Sequence, residues 1–221
     1  MNNDIFSQVD GYIANLLNSP DDILANTEAA IESSGIPAIS VSANQGKFLH
    51  MLAKCCQAKK ILEIGTLGGY STIWMARALP KDGQLLTLEL DPGHAAVAQK
   101  NIIAAGLEQV VEIRIGKAID LLPALAAAGE GPFDMIFIDA DKPPYTEYFQ
   151  WALKLSRPGT LIIADNVIRD GKVLDSSSTD PMVIGAHRFN QSLAGNTAVT
   201  ATILQMVGTK EHDGMALAIV N

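Results

Sequence analysis

The protein has 221 residues, of which 48% are hydrophobic and 18% charged, and it carries a formal net charge of −8 at pH 7. This length is enough for one substantial core, and no apolar run approaches the ~18 residues that cross a bilayer, so we predict a single domain over residues 1–221 that is cytoplasmic and has no membrane partner. The negative charge, without any run of lysine or arginine, weighs against a nucleic acid partner because a phosphate backbone would be repelled.

Residues 1–58 have the apolar spacing of helices. One helix face is marked by Ile5, Val9, Ile13 and Leu16. Residues 21–33 and 44–57 form two further helical segments, and the loop GIPAISVSANQG between them is of the Gly/Pro/Ser-rich kind that can fold over a ligand. We therefore expect extra N-terminal helices ahead of a main core over residues 59–221.

From residue 59 onward the sequence alternates between apolar strand segments and segments with helical periodicity. The strand segments read ILEI, LLTLE, VEIRI, MIFI and TLIIA in chain order. This order predicts an α/β fold built on a doubly wound parallel sheet. The tail differs, because VTATILQM and MALAIV flank the turn GTKEHDG. We expect this tail to form a C-terminal hairpin that adds antiparallel strands at one end of the sheet.

Polar side chains follow the two strands MIFI and TLIIA where each strand ends. Asp139, Asp141 and Lys142 come after the first, and Asp165 and Asn166 after the second. Continuous apolar runs of this kind are typical of parallel strands buried on both faces, and a right-handed crossover tends to place such strands side by side. The polar groups would then meet at the carboxyl edge, where open α/β sheets bind ligands. Oxygen donors beside a lysine predict a site for a hard divalent cation and a proton transfer.

A glycine-containing turn after the first strand indicates a second ligand. Gly65 is followed by the pair Gly68-Gly69, a spacing that differs from GxGxxG and that a purely structural turn would explain equally well. The second strand ends in Glu89, 24 residues after Gly65, where an acid can bind the hydroxyls of a ribose. Ala118, in the helix after the third strand, could leave space for adenine or could simply pack there. Together the features favour an adenosine-containing ligand.

The motifs EIGTLGGYS, LELDP, GKAIDLLP, FIDADK and ADN occur in this order. In this respect the chain, from about Ser40 to its C-terminus, resembles the cation-dependent O-methyltransferases, the group that includes caffeoyl-coenzyme A and catechol O-methyltransferases. The resemblance implies the class I methyltransferase fold, a Rossmann-like and mostly parallel sheet of seven strands. It also implies S-adenosylmethionine as methyl donor, Mg²⁺ (or Mn²⁺ or Ca²⁺) as metal, a catechol-like phenolic acceptor with neighbouring hydroxyls, and a homodimer.

Position by position, the resemblance also implies roles for individual residues. The metal ligands would be Asp139, Asp165 and Asn166. Lys142 would be the general base. The donor-binding positions would be Val41, Glu63, Gly65, Thr66, Ser71, Glu89, Ala118 and Asp141. Asp139 and Asp170 would contact the acceptor.

Two positions depart from the family pattern and leave the acceptor open. Arg169 stands where members often carry an aromatic residue, and Leu67 stands where the catechol enzyme has a tyrosine.

Three other hypotheses compete with methyl transfer to a catechol. A nicotinamide-dependent oxidoreductase would require the missing pyrophosphate glycine spacing, and a methyltransferase of a hydroxylated tRNA base would conflict with the charge of −8. A non-catalytic binding protein on the same fold would be free to lose DADK and DN, which are intact.

Overall fold

A computed structural model describes residues 3–221 of the chain as a sheet flanked by helices. The strands are β1 (Lys60–Ile64), β2 (Gln84–Glu89), β3 (Val111–Ile115), β4 (Met135–Ile138), β5 (Leu161–Asp165), β6 (Val199–Gly208) and β7 (Glu211–Val220). The helices are α1 (Asn3–Leu17), α2 (Asp22–Ser33), α3 (Ala43–Cys55), α4 (Tyr70–Ala76), α5 (Pro92–Ala104), α6 (Ala118–Ala127), α7 (Tyr145–Lys154) and α8 (Pro181–Leu193), with a short 3-10 helix at Lys172–Leu174.

The seven strands form one sheet in the order β3-β2-β1-β4-β5-β7-β6. Strands β1 to β5 pair in parallel, whereas β7 pairs antiparallel with both β5 and β6. The strand order reverses between β1 and β4, which is the switch point of a doubly wound sheet. The predicted parallel sheet with an antiparallel C-terminal hairpin is therefore confirmed.

Most residues of the central strands are apolar because helices cover both faces of the sheet. Every residue of β4 is buried. Side chains alternate between two apolar cores, so that Ile61 and Phe137 pack in one core while Leu62 and Ile136 pack in the other. Among residues 3–221, no helix combines the length and the apolar character that a membrane crossing requires.

Side-chain caps fix where the second and third helices begin. Asp21 accepts a hydrogen bond from the Leu24 amide and starts α2, and Ser42 forms a capping box with Gln45 at the start of α3. The observed α3 ends two residues earlier than the predicted segment 44–57, and Gln57 has a φ of 51°. A left-handed residue at this point ends the helix and turns the chain toward β1.

The N-terminal helices are connected to the tip of the β6–β7 hairpin. Asp10 in α1 accepts hydrogen bonds from the Thr209 amide at 3.1 Å and from the Thr209 hydroxyl at 3.0 Å. Asn44 donates to the Asp10 carbonyl at 2.9 Å, and Lys210 donates to the Ala38 carbonyl at 3.3 Å. Residues far apart in sequence thus meet above the carboxyl edge of the sheet, and they enclose the space over it.

Helix α8 supports the loop that follows β4. A Cβ atom added at Gly185 would lie 2.2 Å from the carbonyl oxygen of Lys142, so the helix backbone touches this loop directly. The position of Lys142 therefore depends on Gly185 in α8, because any side chain there would push against the backbone of Lys142.

We expect Gly185→Ala to lower the free energy of unfolding by about 1–3 kcal/mol, because the added methyl group must displace backbone that is already packed. The matched control is Gly11→Ala in α1, where the new Cβ atom would meet nothing within 4 Å. This control should be neutral or stabilising by about 0.5–1 kcal/mol, since alanine favours helix over glycine. Urea unfolding of both variants measures the difference, and equal effects would contradict the packing argument.

Candidate active site

A cavity of about 1320 Å³ lies at the carboxyl ends of the parallel strands. This is the edge at which ligands bind in open α/β sheets, and the volume exceeds that of a typical single-ligand pocket. The predicted site residues that line it are Val41, Gly65, Thr66, Ser71, Glu89, Ala118, Asp139, Asp141, Lys142, Asp165 and Asn166. The fold therefore brings together residues at or just after the ends of all five parallel strands, β1 to β5, and Val41 from the N-terminal loop.

Two predicted residues, Glu63 and Asp170, do not line the cavity. Glu63 is fully buried, and its carboxylate accepts hydrogen bonds from the Ser71 hydroxyl at 2.6 Å and the Thr72 hydroxyl at 2.5 Å. Glu63 does not contact the cavity itself, but it hydrogen bonds to Ser71, which does line it. Glu63 is therefore a residue that positions Ser71. Asp170 is exposed, and its backbone amide donates to the His212 carbonyl at 3.0 Å. Direct contact of Glu63 with the donor and of Asp170 with the acceptor is thus not supported by their positions.

Gly65 lies where the ends of β1 and β4 come closest. Its φ is 98°, and an added Cβ atom would lie 2.1 Å from the carbonyl oxygen of Asp139. Only glycine tolerates both the positive φ and the close approach of this carbonyl oxygen. The fold therefore requires a glycine here, whatever ligand binds nearby. This glycine allows the glycine turn and the acids after β4 to line one continuous surface.

Glu89 is held in place by the backbone of the glycine turn. Its Oε2 accepts hydrogen bonds from the amides of Thr66 at 3.1 Å and Leu67 at 2.8 Å, and its Oε1 accepts from the amide of Asp91 at 2.9 Å. A carboxylate offers about four acceptor positions, so roughly one remains for a ribose hydroxyl. The side chain of His94 lies 3.6 Å from Oε1 and also lines the cavity.

Tyr148 orients Asp141, the predicted donor-binding acid. The buried Tyr148 hydroxyl donates to the Asp141 carboxylate at 2.7 Å, and burial together with Asp141 raises the pKa of Tyr148. Tyr145 and Tyr148 are three residues apart at the start of α7, a spacing that puts both rings on one helix face. That spacing, directly after the DADK motif, is the signal in the sequence that would have identified both tyrosines.

Lys142 is 3% exposed, so it is a buried side chain and not a solvated surface lysine. Its Nζ donates to the hydroxyl of Tyr145 at 2.5 Å and to the carboxylate of Asp139 at 3.2 Å. The same Tyr145 hydroxyl lies 3.2 Å from the Ile138 carbonyl and 3.1 Å from the Asp165 carbonyl. One buried phenol thus connects the lysine to the ends of β4 and β5.

Asp165 is a buried carboxyl that lacks sufficient positive charge nearby. It is 2% exposed, and burial together with repulsion by Asp139 raises its pKa to about 7, although Lys142 opposes this shift. The adjacent Asn166 has a φ of 56°, a left-handed conformation that asparagine tolerates better than most residues. No residue within 3–221 hydrogen bonds to the Asn166 side-chain amide.

These observations fit a hard divalent cation. Asp139, Asp165 and Asn166 offer two carboxylates and one amide oxygen, which are the ligand types that Mg²⁺ prefers. The charge of a cation would also relieve the repulsion between the two acids. Within residues 3–221, no site gathers three or more His, Cys, Asp or Glu side chains that could hold a metal ion. The coordination positions of the cation beyond these three ligands would therefore be filled by water or by a bound ligand.

Other residues of the cavity lining were missed by the sequence analysis. They are contributed mainly by segments distant in sequence and include Asp10, Phe48, His94, Met182 and residues 206–211 of the hairpin tip. For most of them no local motif gives a signal, because their contribution depends on how the hairpin and the N-terminal helices meet.

Comparison with known proteins gives matches over nearly the whole chain. A family model described as O-methyltransferase matches residues 19–220. The chain is 72% identical over 220 residues to catechol O-methyltransferase of Niastella koreensis, covering 100% of both chains. It is similar to the O-methyltransferase from Bacillus cereus in complex with SAH (TM-score 0.97, 47% identity, covering 99% of this chain and 100% of that chain). It is also similar to the O-methyltransferase TomG from Streptomyces achromogenes in complex with SAM (TM-score 0.96, 48% identity, covering 100% and 99%).

The buried carboxyl of Glu63 predicts a pH dependence of stability. Burial raises the pKa of Glu63 from 4.5 to about 7. An acid whose pKa is higher in the folded chain than in the unfolded chain stabilises the fold while it is protonated, so this stability is present below pH 4.5 and is lost as the pH rises toward 7. Relative to Glu63→Gln, the wild type should therefore lose roughly 2–3 kcal/mol of unfolding free energy across this range.

Urea unfolding of the wild type and of Glu63→Gln at several pH values, in the presence of a chelator, measures this difference. The chelator removes any contribution from cation binding, and subtraction cancels the other titrating groups. Parallel pH dependences for the two proteins would mean that Glu63 stays ionised in the folded chain.

Proposed function

The chain belongs to the O-methyltransferase family, and on that premise we propose that it transfers a methyl group from S-adenosylmethionine to one hydroxyl of a catechol-like acceptor with the help of a divalent cation. The observation that carries the proposal is the position of Lys142 beside Asp139, with Asp165 and Asn166 at the neighbouring strand end, in one cavity. The relatives that bind SAM or SAH and the relative named for catechol support the donor and the acceptor.

The cation would be held by Asp139, Asp165 and Asn166. When bound, it supplies a Lewis acid that stabilises negative charge on an acceptor oxygen. The chain contributes the geometry, because two of the three ligands follow directly from the parallel pairing of β4 and β5. Mn²⁺ or Ca²⁺ would fit the same oxygen ligands as Mg²⁺.

Lys142, in its neutral amine form, would accept the proton of the attacking hydroxyl and become an ammonium group. Its Nζ is held by the Tyr145 hydroxyl at 2.5 Å and by Asp139 at 3.2 Å, so the lysine is positioned before the acceptor binds. Because Lys142 is buried, no bulk water competes for the proton at that point. A proton acceptor fixed in this way contributes general base catalysis without a covalent enzyme intermediate.

The donor would lie across the other half of the cavity. Glu89 offers an acceptor position to a ribose hydroxyl, and Asp141 offers its carboxylate to the ammonium group of the donor. Ser71 donates its proton to Glu63, so its oxygen is free to accept a hydrogen bond from the same end of the donor. With both substrates fixed, much of the rate would come from in-line alignment of the acceptor oxygen with the methyl group.

The competing hypotheses have less support. An oxidoreductase would need a nicotinamide dinucleotide, whereas the similar structures are bound to SAM or SAH. Methylation of a tRNA base still conflicts with the net charge of −8.

We further propose that one domain over residues 1–221 carries the activity. The cytoplasmic location stays a prediction.

The proposal is tested by methyl transfer from S-adenosylmethionine to catechol. Excess chelator should abolish turnover and Mg²⁺ should restore it, since the cation stabilises the charge on the attacking oxygen. Lys142→Met should lower kcat by about 10²- to 10⁴-fold, while the dissociation constant for S-adenosylmethionine, measured by calorimetry, should stay as in the wild type.

The matched control is Lys154→Met at the end of α7, because Lys154 lies over the Trp151 ring and does not line the cavity. This variant should keep the wild-type kcat. Turnover that persists in excess chelator would refute the cation, and a wild-type kcat in Lys142→Met would refute the assignment of the base.

We also propose that the protein is a homodimer associated through α1. Six apolar side chains of this helix are between 38% and 65% exposed: Ile5, Val9, Tyr12, Ile13, Leu16 and Leu17. A contiguous apolar face of this kind is rarely left open to water, and a second copy of the chain offers the same face in return. The family resemblance in the sequence also implies a homodimer.

Light scattering should give about twice the chain mass of 23.5 kDa for the wild type. Tyr12→Glu should shift the protein to a monomer, because a buried unpaired charge in the interface is costly. Ile103→Glu changes an exposed apolar residue of α5 outside this face and should leave the dimer intact. A monomeric wild type, or a dimer that tolerates Tyr12→Glu but not Ile103→Glu, would contradict the proposal.

A further inference from the structure

Arg169 differs from the other arginines of the chain in having no hydrogen-bonded carboxylate. The other four each donate to one, at 2.5 Å from Arg77 to Asp21, 2.7 Å from Arg114 to Glu130, 2.6 Å from Arg157 to Asp134 and 2.9 Å from Arg188 to Glu147. The Nε of Arg169 is buried without any hydrogen-bond partner, and its Nη1 lies 3.8 Å from the nearest carboxylate, that of Asp213. A guanidinium has five N–H donors, and within residues 3–221 none of those on Arg169 is hydrogen bonded.

Asp213 forms hydrogen bonds with the backbone at Arg169, whereas its contact with the guanidinium is an ion pair whose 3.8 Å separation is too long for a hydrogen bond. The Oδ1 atom of Asp213 accepts from the amides of Ile168 at 2.9 Å, Arg169 at 2.9 Å and Gly214 at 2.8 Å. Arg169 has a φ of 54°, a left-handed conformation that costs free energy for an arginine and persists only when its surroundings enforce it. The loop is therefore fixed in a strained shape that leaves the donors of the arginine unused.

The position of Arg169 within the cavity identifies which ligand it would meet. It follows the metal-site residues Asp165 and Asn166 at the end of β5, and it is 31% exposed in its side chain while lining the cavity. The glycine turn and Glu89 lie after β1 and β2, on the other side of β4 in the sheet. Arg169 is thus at the acceptor end of the cavity.

The other cationic side chains of the lining do not serve this end. Lys142 donates to Tyr145 and Asp139, and Lys210 donates to the Ala38 carbonyl. Lys117 follows β3, which is the far edge strand on the donor side of the sheet. Among the lysines and arginines of the described lining, Arg169 alone combines unused donors with a place beside the metal-site residues.

We propose that Arg169 binds a carboxylate carried by the acceptor, so that the preferred substrates are catechols with an acidic substituent. This inference rests on the proposed function and specifies its acceptor. The planar guanidinium matches a carboxylate with two parallel hydrogen bonds, a fit that a lysine cannot reproduce. The acids Asp139, Asp165 and Asp213 line the same cavity and would repel a carboxylate on the acceptor. A cationic partner such as Arg169 is therefore needed for an acidic acceptor to bind.

The test compares 3,4-dihydroxybenzoate with 3,4-dihydroxybenzamide, which has nearly the same shape but no charge. We expect the wild type to prefer the acid in kcat/KM, and Arg169→Met to reduce that preference by about ten- to hundredfold, mainly through a higher KM for the acid. The ratio of the two preferences cancels any intrinsic difference in reactivity between the acceptors. Arg169→Lys keeps the charge without the paired donors and should fall between the two proteins.

Binding gives a second measurement that does not depend on turnover. Calorimetric titration of the acid and the amide into protein saturated with S-adenosylhomocysteine and Mg²⁺ should show the same loss of preference in Arg169→Met. The matched control is Arg188→Met, since Arg188 pairs with Glu147 at the surface and does not line the cavity. This control should retain the wild-type preference for the acid.

The outcomes separate this inference from the proposed function. If the wild type methylates the amide as efficiently as the acid, or if Arg169→Met keeps the wild-type preference, Arg169 does not bind the carboxylate. Should Arg169→Met fail to fold, Arg169→Lys and the wild-type preference decide the question in the same way. A protein that binds neither S-adenosylmethionine nor any catechol would instead refute the proposed function.

Discussion

The parallel pairing of β4 and β5 is the constraint on which the rest of the site depends. It places the partly exposed carboxylate of Asp139 and the buried carboxyl group of Asp165 at one sheet edge, where the two acids repel each other. Lys142 offsets part of this repulsion, and Tyr145 ties the lysine to both strand ends. The repulsion between the two acids lowers the stability of the free protein. The same pair of acids favours binding of a cation, and the lysine beside them can take part in a proton transfer.

The same pairing explains why so much of the fold followed from the sequence. Strands buried on both faces are mostly apolar, so a continuous apolar segment such as MIFI predicts one, and the polar residues that follow it lie at the edge of the sheet. Glycine and cap residues mark the turns between strands and helices for equally local reasons. Gly65 is the clearest case, because its conformation and the approach of the Asp139 carbonyl both require a missing side chain.

Other parts of the site could not be predicted because they arise from contacts between distant segments. The Asp10 carboxylate meets Thr209 only after α1 and the hairpin have both docked. Glu63 lies in a strand whose alternation gives no indication that its carboxyl is buried beneath Ser71 and Thr72 rather than facing the donor. The anchoring of Glu89 by three backbone amides is likewise a property of the folded turn, and it leaves fewer positions for a ribose than the sequence alone implied.

The two halves of the cavity are therefore built by different means. The donor half depends on backbone amides and buried hydroxyls of the sheet itself, so a change there would disturb β1, β2 or the turn between β1 and α4. The acceptor half is completed by Arg169 and the hairpin tip, which are fixed by Asp213 and Asp10 and lie outside the parallel strands β1 to β5. Met206 packs against the apolar core, but the side chains of Arg169, Thr209 and Lys210 make polar contacts and can change without repacking it. A fold of this construction can keep one methyl donor and one proton acceptor while the acceptor half is adapted to a different substrate.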